Sequence, residues 1–311
     1  SDGGYVMAGF SEALTEKWSD AWVIKTDSKG LVEWNRTYGG FRWDKAHDIQ
    51  ETRDGGYIIT GYTFSHGNGN ADIWLIKTDT DGYPVWSKTF GGPDWDYGYS
   101  VKETQDGGYV ITGFTETEDK KSSRIWLVRT NTQGEQIWAH TFGSRQRNEG
   151  RSIFETEDGG YIIAGSTQSF FPNYEDVLII RTDGEGKTLW EKTFGGQSWD
   201  RSSSVLQTRD ANFVIAGSSR LNDDSKADPW LMKLDPDGNP IWEQKYISSL
   251  SEEIHSIENT TDGGFIMVGT STSIDGSPSD LLLIKTDVRG NIPDYDLKSD
   301  KSWGIVINGE Q

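Results

Sequence analysis

Four short apolar-rich runs, each closed by turn residues, recur along this chain. Between residues 44 and 96 they read AHDIQET (Ala46–Thr52), YIITGYT (Tyr57–Thr63), DIWLIKTD (Asp72–Asp79) and YPVWSKTF (Tyr83–Phe90). RDGG joins the first two and TDTDG the last two, with the longer FSHGNGNA between the pairs. Short runs rich in β-branched and aromatic residues, bounded by such turns, predict strands, and no stretch of useful length has a helical period. The third run is almost continuously apolar in every copy (AWVI, IWLI, IWLV, VLII, PWLM, LLLI), which predicts a strand covered on both faces. The fourth, VWSKTF, mixes polar and apolar positions as an outer edge strand does.

The second run belongs to a phrase that returns at a fixed interval. DGGYVMAGFS at Asp2 is followed by versions starting at Asp54, Asp106, Asp158, Asp210 and Asp262, a spacing of 52 residues each time. Six such copies account for essentially all 311 residues. A supersecondary unit repeated at this period, with strands covered on both faces, predicts an all-β, six-bladed β-propeller with four antiparallel strands per blade, as one domain over 1–311. The chain opens at the second strand of its first copy, as a processed or excised segment would. Near its end GIVIN (Gly304–Asn308) has the composition of a strand and is expected to complete the first blade and close the ring.

The turns carry more detail. Gly30, Gly82, Gly134, Gly186, Gly238 and Gly290 fill one position of the second turn in all six copies, which fits a type I turn followed by a left-handed residue. Asp27, Asp79, Asp183, Asp235 and Asp287, with Asn131 once, start that turn and suit side-chain capping of it. DTDG and DPDG have some EF-hand character, but the remaining ligands of such a loop are missing, so no metal is expected. In the first turn the fifth copy reads DAN. Asn tolerates left-handed geometry better than Ala, so positive φ is expected at Gly4, Gly56, Gly108, Gly160, Asn212 and Gly264. The glycine five residues on (Gly9, Gly61, Gly113, Gly165, Gly217, Gly269) is expected to make room for a neighbouring ring.

Charge and composition narrow the classes of function. A formal net charge of −19 leaves nothing to neutralise phosphates along a groove, so neither nucleic acid nor an anionic membrane surface is an expected partner. With no cysteine there is no disulfide or thiol chemistry, and no apolar run approaches a membrane span. Only 33% of residues are hydrophobic, but 14 Trp, 12 Tyr and 12 Phe supply a large burial payload, suited to many small cores.

Antiparallel order puts the two glycine turns at one end of each blade and the long variable loops, with the GG-x-x-W-D segments, at the other. Binding residues concentrate in loops held by a rigid scaffold, so the second face is the expected working face. Its aromatic candidates are Trp18, Phe64, Phe170, Phe171 and Tyr174 in the loops, and Trp43, Trp95 and Trp199 in the connecting segments. Rings beside carboxylates can stack on sugar faces and bond hydroxyls. Equally, each Trp can pack over a blade junction while Asp44, Asp96 or Asp200 caps the inner strand. His47 and His255 occupy one inner-strand position that holds Tyr99, Arg151 and Ser203 elsewhere, which reads as a variable lining position. No spacing among the four histidines suggests zinc, and no G-x-S-x-G or phosphate loop is present. No catalytic residue and no cofactor are therefore expected. Asn35 (NRT) and Asn259 (NTT) match the N-glycosylation acceptor.

The stretch SVKETQDGGYVITGFT … IWLVRTNTQGEQIWAHTFG resembles the β-propeller repeats of secreted archaeal and bacterial surface proteins, across all six copies. That resemblance implies an extracellular or cell-surface setting and partners such as a surface glycan, a protein, or other envelope or filament subunits. TDSKGLVEW and LDPDGNPIW also resemble the tryptophan-docking repeat of quinoprotein-like propellers, which implies that Trp34, Trp86, Trp138, Trp190 and Trp242 wedge between blades. The expected function is a non-catalytic binding or assembly module working through the variable-loop face. A carbohydrate-active propeller enzyme with carboxylates near the central channel is the alternative.

Overall fold

The computed structural model describes residues 2–12, 18–119, 121–143, 146–168, 174–196, 198–220, 226–248, 250–272 and 280–292. Every element among them is a strand. The first repeat gives β1 (Tyr5–Glu12), β2 (Ser19–Thr26) and β3 (Val32–Tyr38). The second gives β4 (Asp44–Glu51), β5 (Tyr57–Thr63), β6 (Asp72–Thr78) and β7 (Pro84–Phe90). From the third come β8 (Asp96–Glu103), β9 (Tyr109–Glu116), β10 (Ser123–Thr130) and β11 (Gln136–Phe142). The fourth contributes β12 (Asn148–Glu155), β13 (Tyr161–Gln168), β14 (Glu175–Thr182) and β15 (Thr188–Phe194). The last two give β16 (Asp200–Gln207), β17 (Phe213–Arg220), β18 (Ala227–Leu234) and β19 (Pro240–Lys245), then β20 (Ser251–Asn259), β21 (Phe265–Thr272) and β22 (Asp280–Thr286).

The fold is an all-β six-bladed propeller with three or four antiparallel strands per blade. The chain divides into two compact units, Ser1–Glu155 and Thr156–Gln311. In the first, β1-β2-β3, β4-β5-β6-β7 and β8-β9-β10-β11 pair in chain order. In the second, β13-β14-β15, β16-β17-β18-β19 and β20-β21-β22 do the same. The apolar third run behaves as expected, since β6 is buried along its whole length while β7 is largely exposed. Between the second and third blades, Ile58, Ile73, Leu75 and Phe90 pack against Val101, Tyr109, Ile111 and Val128, with Trp86 at the margin. The expected closing strand, Gly304–Asn308, lies outside the described residues. Among those described, β1 pairs with β2 alone and exposes Tyr5 and Met7.

The first turn corrects the expectation drawn from DAN. Positive φ falls one residue earlier, at Gly3, Gly55, Gly107, Gly159, Ala211 and Gly263. The reason is the hydrogen-bond pattern: Gly55 N–H donates to Thr52 O at 2.8 Å and Thr52 N–H to Gly56 O at 2.8 Å, which closes a type I turn whose next residue must turn left-handed. Gly56 is short of space instead. A Cβ there would lie 2.2 Å from Thr78 O and 2.6 Å from Lys77 Nζ.

That lysine is the centre of the turn. Lys77 is almost wholly buried, and its Nζ bonds Thr78 O at 2.8 Å and the Asp54 carboxylate at 3.0 Å. Asp54 also accepts from Thr52 Oγ1 at 2.6 Å and Gly56 N–H at 3.0 Å. The same pair recurs as Lys25–Asp2, Arg129–Asp106, Arg181–Asp158, Lys233–Asp210 and Lys285–Asp262. Burial tends to raise the Asp54 pKa, but the bonds from Thr52, Lys77 and Gly56 outweigh it and bring the value down to about 2. Asp210 is likewise brought down to about 2, against burial, by Lys233, Thr208 and Asn212.

The glycine of the second strand also has a different neighbour from the expected ring. A Cβ on Gly61 would lie 1.9 Å from Lys45 O, and one on Gly113 only 1.7 Å from Tyr97 O. Four inner strands, β4, β8, β16 and β20, bulge opposite this glycine, with register shifts across Ala46/Asp48, Gly98/Ser100, Ser202/Ser204 and Ile254/Ser256. The extra residues are His47, Tyr99, Ser203 and His255, the position read as variable lining.

The second turn and the tryptophans agree with their reading. Gly30, Gly82, Gly134, Gly186, Gly238 and Gly290 all have φ between 73 and 80°. Asp79 Oδ1 accepts from the amides of Asp81 and Tyr83 at 3.0 and 2.8 Å. Trp34 lies against Gly82, the equivalent glycine of the following blade, and 5.6 Å from Tyr57. Trp86 does the same with Gly134 and Tyr109.

Two outcomes follow for stability. Ala211→Gly relieves a left-handed alanine and is expected to stabilise by about 1 kcal/mol, whereas Gly113→Ala drives a Cβ into a carbonyl and is expected to cost about 2 kcal/mol or more; urea titration of both variants checks the opposite signs. For acid, the depressed pKa values of Asp54 and Asp210 mean stability present above the unfolded carboxylate pKa of about 3.9 and lost as pH falls towards about 2. Asp54→Asn is expected to flatten that acid limb in denaturation midpoints measured from pH 5 to pH 2.

Candidate functional site

In the first unit the variable-loop end of the blades carries a continuous run of aromatic rings. Trp18 meets Trp43 at 5.2 Å, Trp43 meets Phe64 at 5.9 Å and Phe64 meets Trp95 at 5.3 Å, all edge to face. Trp18, Trp43 and Trp95 stay 39, 46 and 38% exposed, a large apolar area left in water. Strand pairing fixes their places: Phe64 N–H donates to Trp43 O at 2.9 Å and Glu116 N–H to Trp95 O at 2.9 Å, which continues the inner ladder past the strand ends. The Asp after each Trp takes the capping role. Asp44 accepts from Gly40 N–H, Ser65 Oγ and Thr63 Oγ1, and Asp96 from Gly92 N–H.

From Phe64 and Trp95 the rings continue inward. Phe64 lies 5.8 Å from Tyr62, Tyr62 stacks on Tyr97 at 4.1 Å, and Tyr97 is 6.4 Å from Tyr99. His47 stacks on Tyr99 at 5.0 Å and touches Tyr62 edge-on at 5.4 Å. Arg151 lays its guanidinium over Tyr99, 4.3 Å from the ring centre. His47 and Tyr99 are the bulged residues of β4 and β8, and a bulge re-aims the side chain it carries. His47 Nδ1 is 2.9 Å from Gly98 O, so in the neutral ring Nδ1 carries the proton and Nε2 keeps its lone pair. Desolvation pushes the His47 pKa down; Arg151 and Lys45 push the same way, and Gly98 O opposes them. Desolvation also raises the Tyr99 hydroxyl, to about 12.

Thus Trp18, Trp43, Phe64 and Trp95 come together as one surface. Phe170 and Phe171 lie outside the described residues. In the second unit Tyr174 and Trp199 pair at 6.5 Å, with Arg201 over Trp199 at 5.0 Å. Asn35 and Asn259 are exposed on β3 and β20. Sequence reading missed Tyr62, Tyr97 and the exposed Phe10 and Phe41. Phe10 holds Lys45 at 3.7 Å from its ring. At the glycine-turn end, the seam beside Trp86 forms a groove of about 650 Å³ lined by Lys77, Asp54, Glu103 and Tyr109. A counterpart beside Trp190 in the second unit encloses about 470 Å³, so these grooves belong to the repeat itself.

Carboxylates do converge, but as pairs shared by neighbouring blades. Asp72 and Asp96 are both buried, and each has an oxygen within 3 Å of where a Gly91 Cβ would sit. Asp20/Asp44 and Asp176/Asp200 repeat the arrangement around Gly39 and Gly195. Burial raises Asp72 to about 6, with the Asp96 charge adding to it and the Asn68 amide opposing. Asp96 and Asp176 are also raised, each chiefly by burial. At the next equivalent pair of positions the residues are Arg124, on β10, and Asn148, on β12, and Arg124 bonds Gly143 O at 2.8 Å. No group of three or more metal-ligating side chains occurs among the described residues, and no helix is long and apolar enough to cross a membrane.

Comparison with known proteins defines the class as a β-propeller. No family model matches the chain. A regulatory protein, FlaEY of Caulobacter vibrioides, is 20% identical over 196 residues, 55% of this chain, and the matched part spans only 20% of that relative's length. Among solved structures, an ulvan lyase bound to a GlcA(1-4)Rha3S unit aligns with TM-score 0.62 at 11% identity, covering 94% of this chain and 80% of that one. A Bacteroides caccae protein of unknown function aligns with TM-score 0.59 at 12% identity, covering 92% of both chains. At these identities the likeness is one of fold.

The acid pairs give a test with a definite sign. Asp72 has its folded pKa raised to about 6, so its charge destabilises the fold at neutral pH, and stability is regained as pH falls from about 6 towards the unfolded value of about 3.9. Asp72→Asn is expected to raise the urea midpoint at pH 7 and to remove that rise between pH 6 and pH 4.

Proposed function

We propose that this chain is a non-catalytic carbohydrate-binding propeller module that works outside the cell or at its surface, through the variable-loop end of its first unit. The observation that carries this reading is the row Trp18–Trp43–Phe64–Trp95, four rings in mutual contact with three half-exposed indoles. Aromatic faces held on a rigid sheet lose little conformational entropy on binding and match the C–H faces of pyranose rings. The polar groups beside them, Ser65, His66 and Arg42, are of the kind that bond sugar hydroxyls; Arg42 N–H already donates to Ser65 Oγ at 3.0 Å. A protein of similar fold that holds a polysaccharide unit, the ulvan lyase, supports the binding part of the reading at the level of fold alone. The exposed acceptor sequences at Asn35 and Asn259 accord with the extracellular setting.

Binding is read by intrinsic tryptophan fluorescence and by calorimetry against a panel of soluble oligosaccharides. Trp43→Ala is expected to weaken binding at least tenfold, the scale of a central aromatic anchor. Ile137→Ala, which truncates an exposed apolar residue on β11, is expected to leave binding unchanged. Absence of binding to every glycan, together with saturable binding of a protein partner by the same face, would overturn the carbohydrate reading. Release of new sugar ends on incubation would overturn the non-catalytic one.

A further inference from the structure

The rings do not end in a neutral wall. In a chain of net charge −19, the inner end of the run carries two arginines: Arg151 over Tyr99, and Arg147 beside it with 68% of its side chain exposed. Glu149 lies between the two arginines, bonded to Arg151 and 3.8 Å from Arg147, so one carboxylate serves two guanidinium groups. Both arginines break the repeat. Arg147 stands where the first, second and fourth connections carry Trp43, Trp95 and Trp199, and Arg151 takes the position that holds His47 and Tyr99 in the preceding inner strands. Within the first unit Arg124 and Asn148 also replace the acid pair. The result is two guanidinium groups, sharing one carboxylate, at one end of an aromatic platform.

We infer that this end of the platform takes the acidic group of the bound saccharide, a uronate carboxylate or a sulfate ester, on Arg147 and Arg151 beside His47 and Tyr99. The inference rests on the carbohydrate reading above and adds the class of sugar. A guanidinium offers two parallel N–H donors to a carboxylate or sulfate, and charge-assisted bonds of this kind are about twice as strong as neutral ones. Glu149 and the Tyr99 face hold Arg151 in place, so little rotamer freedom is lost when the anion arrives. His47 keeps Nε2 unprotonated in the neutral ring and accepts a neighbouring hydroxyl rather than repelling it.

The test uses the full chain and three sets of oligosaccharide of matched length: neutral, uronate-containing and sulfated. Calorimetry in 20 mM and 300 mM salt is expected to show at least one acidic set binding roughly tenfold tighter than the neutral one. The advantage is expected to shrink at high salt. In R147Q/R151Q the ratio of acidic to neutral affinity is expected to fall to about one, while thermal denaturation confirms an intact fold. Arg151→Lys is expected to retain part of the preference, since it keeps the charge and loses the fork. Uronate and sulfate arms separate the two sources of negative charge, and a preference for either supports the inference. Equal binding of neutral and acidic sugars by the parent chain, or a preference that survives R147Q/R151Q, overturns the inference and leaves the carbohydrate reading standing. Failure of all three sets to bind overturns both.

Discussion

A cation held under each first turn, buried in five of the six, is the constraint on which the blade depends. Lys77 or its equivalent cannot remain charged inside a sheet without a partner, since the cost of an unpaired buried charge far exceeds any single packing gain. The Asp of DGG supplies that partner, the carbonyl after the lysine supplies a second bond, and the turn must fold so that both reach it. Two adjacent glycines have two different causes. The first takes a left-handed φ because the turn closes on Thr52, and the second is short of space because the Thr78 carbonyl, with the Lys77 ammonium beside it, lies where its side chain would begin. Where the fifth copy abandons both glycines, the salt bridge Lys233–Asp210 survives at 2.8 Å. The pair is retained and the backbone bears the strain, as Ala211 does at φ 61°.

A second constraint, the bulge of the inner strand, separates scaffold from function. The carbonyl before the bulge is pressed against the next strand so closely that only glycine fits opposite it. That arrangement is the same in the second, third, fifth and sixth blades, but the residue it lifts out differs: His47, Tyr99, Ser203 and His255. A position whose backbone is fixed and whose side chain packs into no core can change without cost to the fold. In the first unit those changes bring an imidazole, a phenol and a guanidinium into one stack.

Strand positions and the second turn were legible in the sequence because they rest on local chemistry. Apolar runs, Asp–Gly turns and Trp-to-Gly spacing all act within one repeat or between neighbours. Two inferences failed where the cause lay across the sheet. DAN pointed to Asn212 for the left-handed residue because Asn prefers that geometry, yet the hydrogen bonds to Thr208 impose it on Ala211. Gly61 suggested a neighbouring ring, but its neighbour is Lys45 O, brought near by a bulge that leaves no local mark. Trp43, Phe64 and Trp95 were each recognisable as candidates, whereas their contact was not, since it joins segments 21 and 31 residues apart. Tyr62 and Tyr97 look like ordinary strand residues in sequence. The available signal for the inner cluster was the column at positions 47, 99 and 151, whose residue types change while everything around them repeats.

The cations at positions 124, 147 and 151 have a competing physical explanation. Acid pairs such as Asp72/Asp96 carry raised pKa values and repel each other at neutral pH, so exchanging one for Arg124 and Asn148 relieves that repulsion without reference to any ligand. Arg124 fits this explanation, because its guanidinium is committed to Gly143 O within the blade. Arg147 and Arg151 do not. Neither stands at a position of the acid pair, one is largely exposed, and the other lies over Tyr99, the two arginines sharing the counterion Glu149. Repulsion between paired acids of neighbouring blades therefore accounts for the first cation and leaves the other two to a role at the surface, where the aromatic run ends.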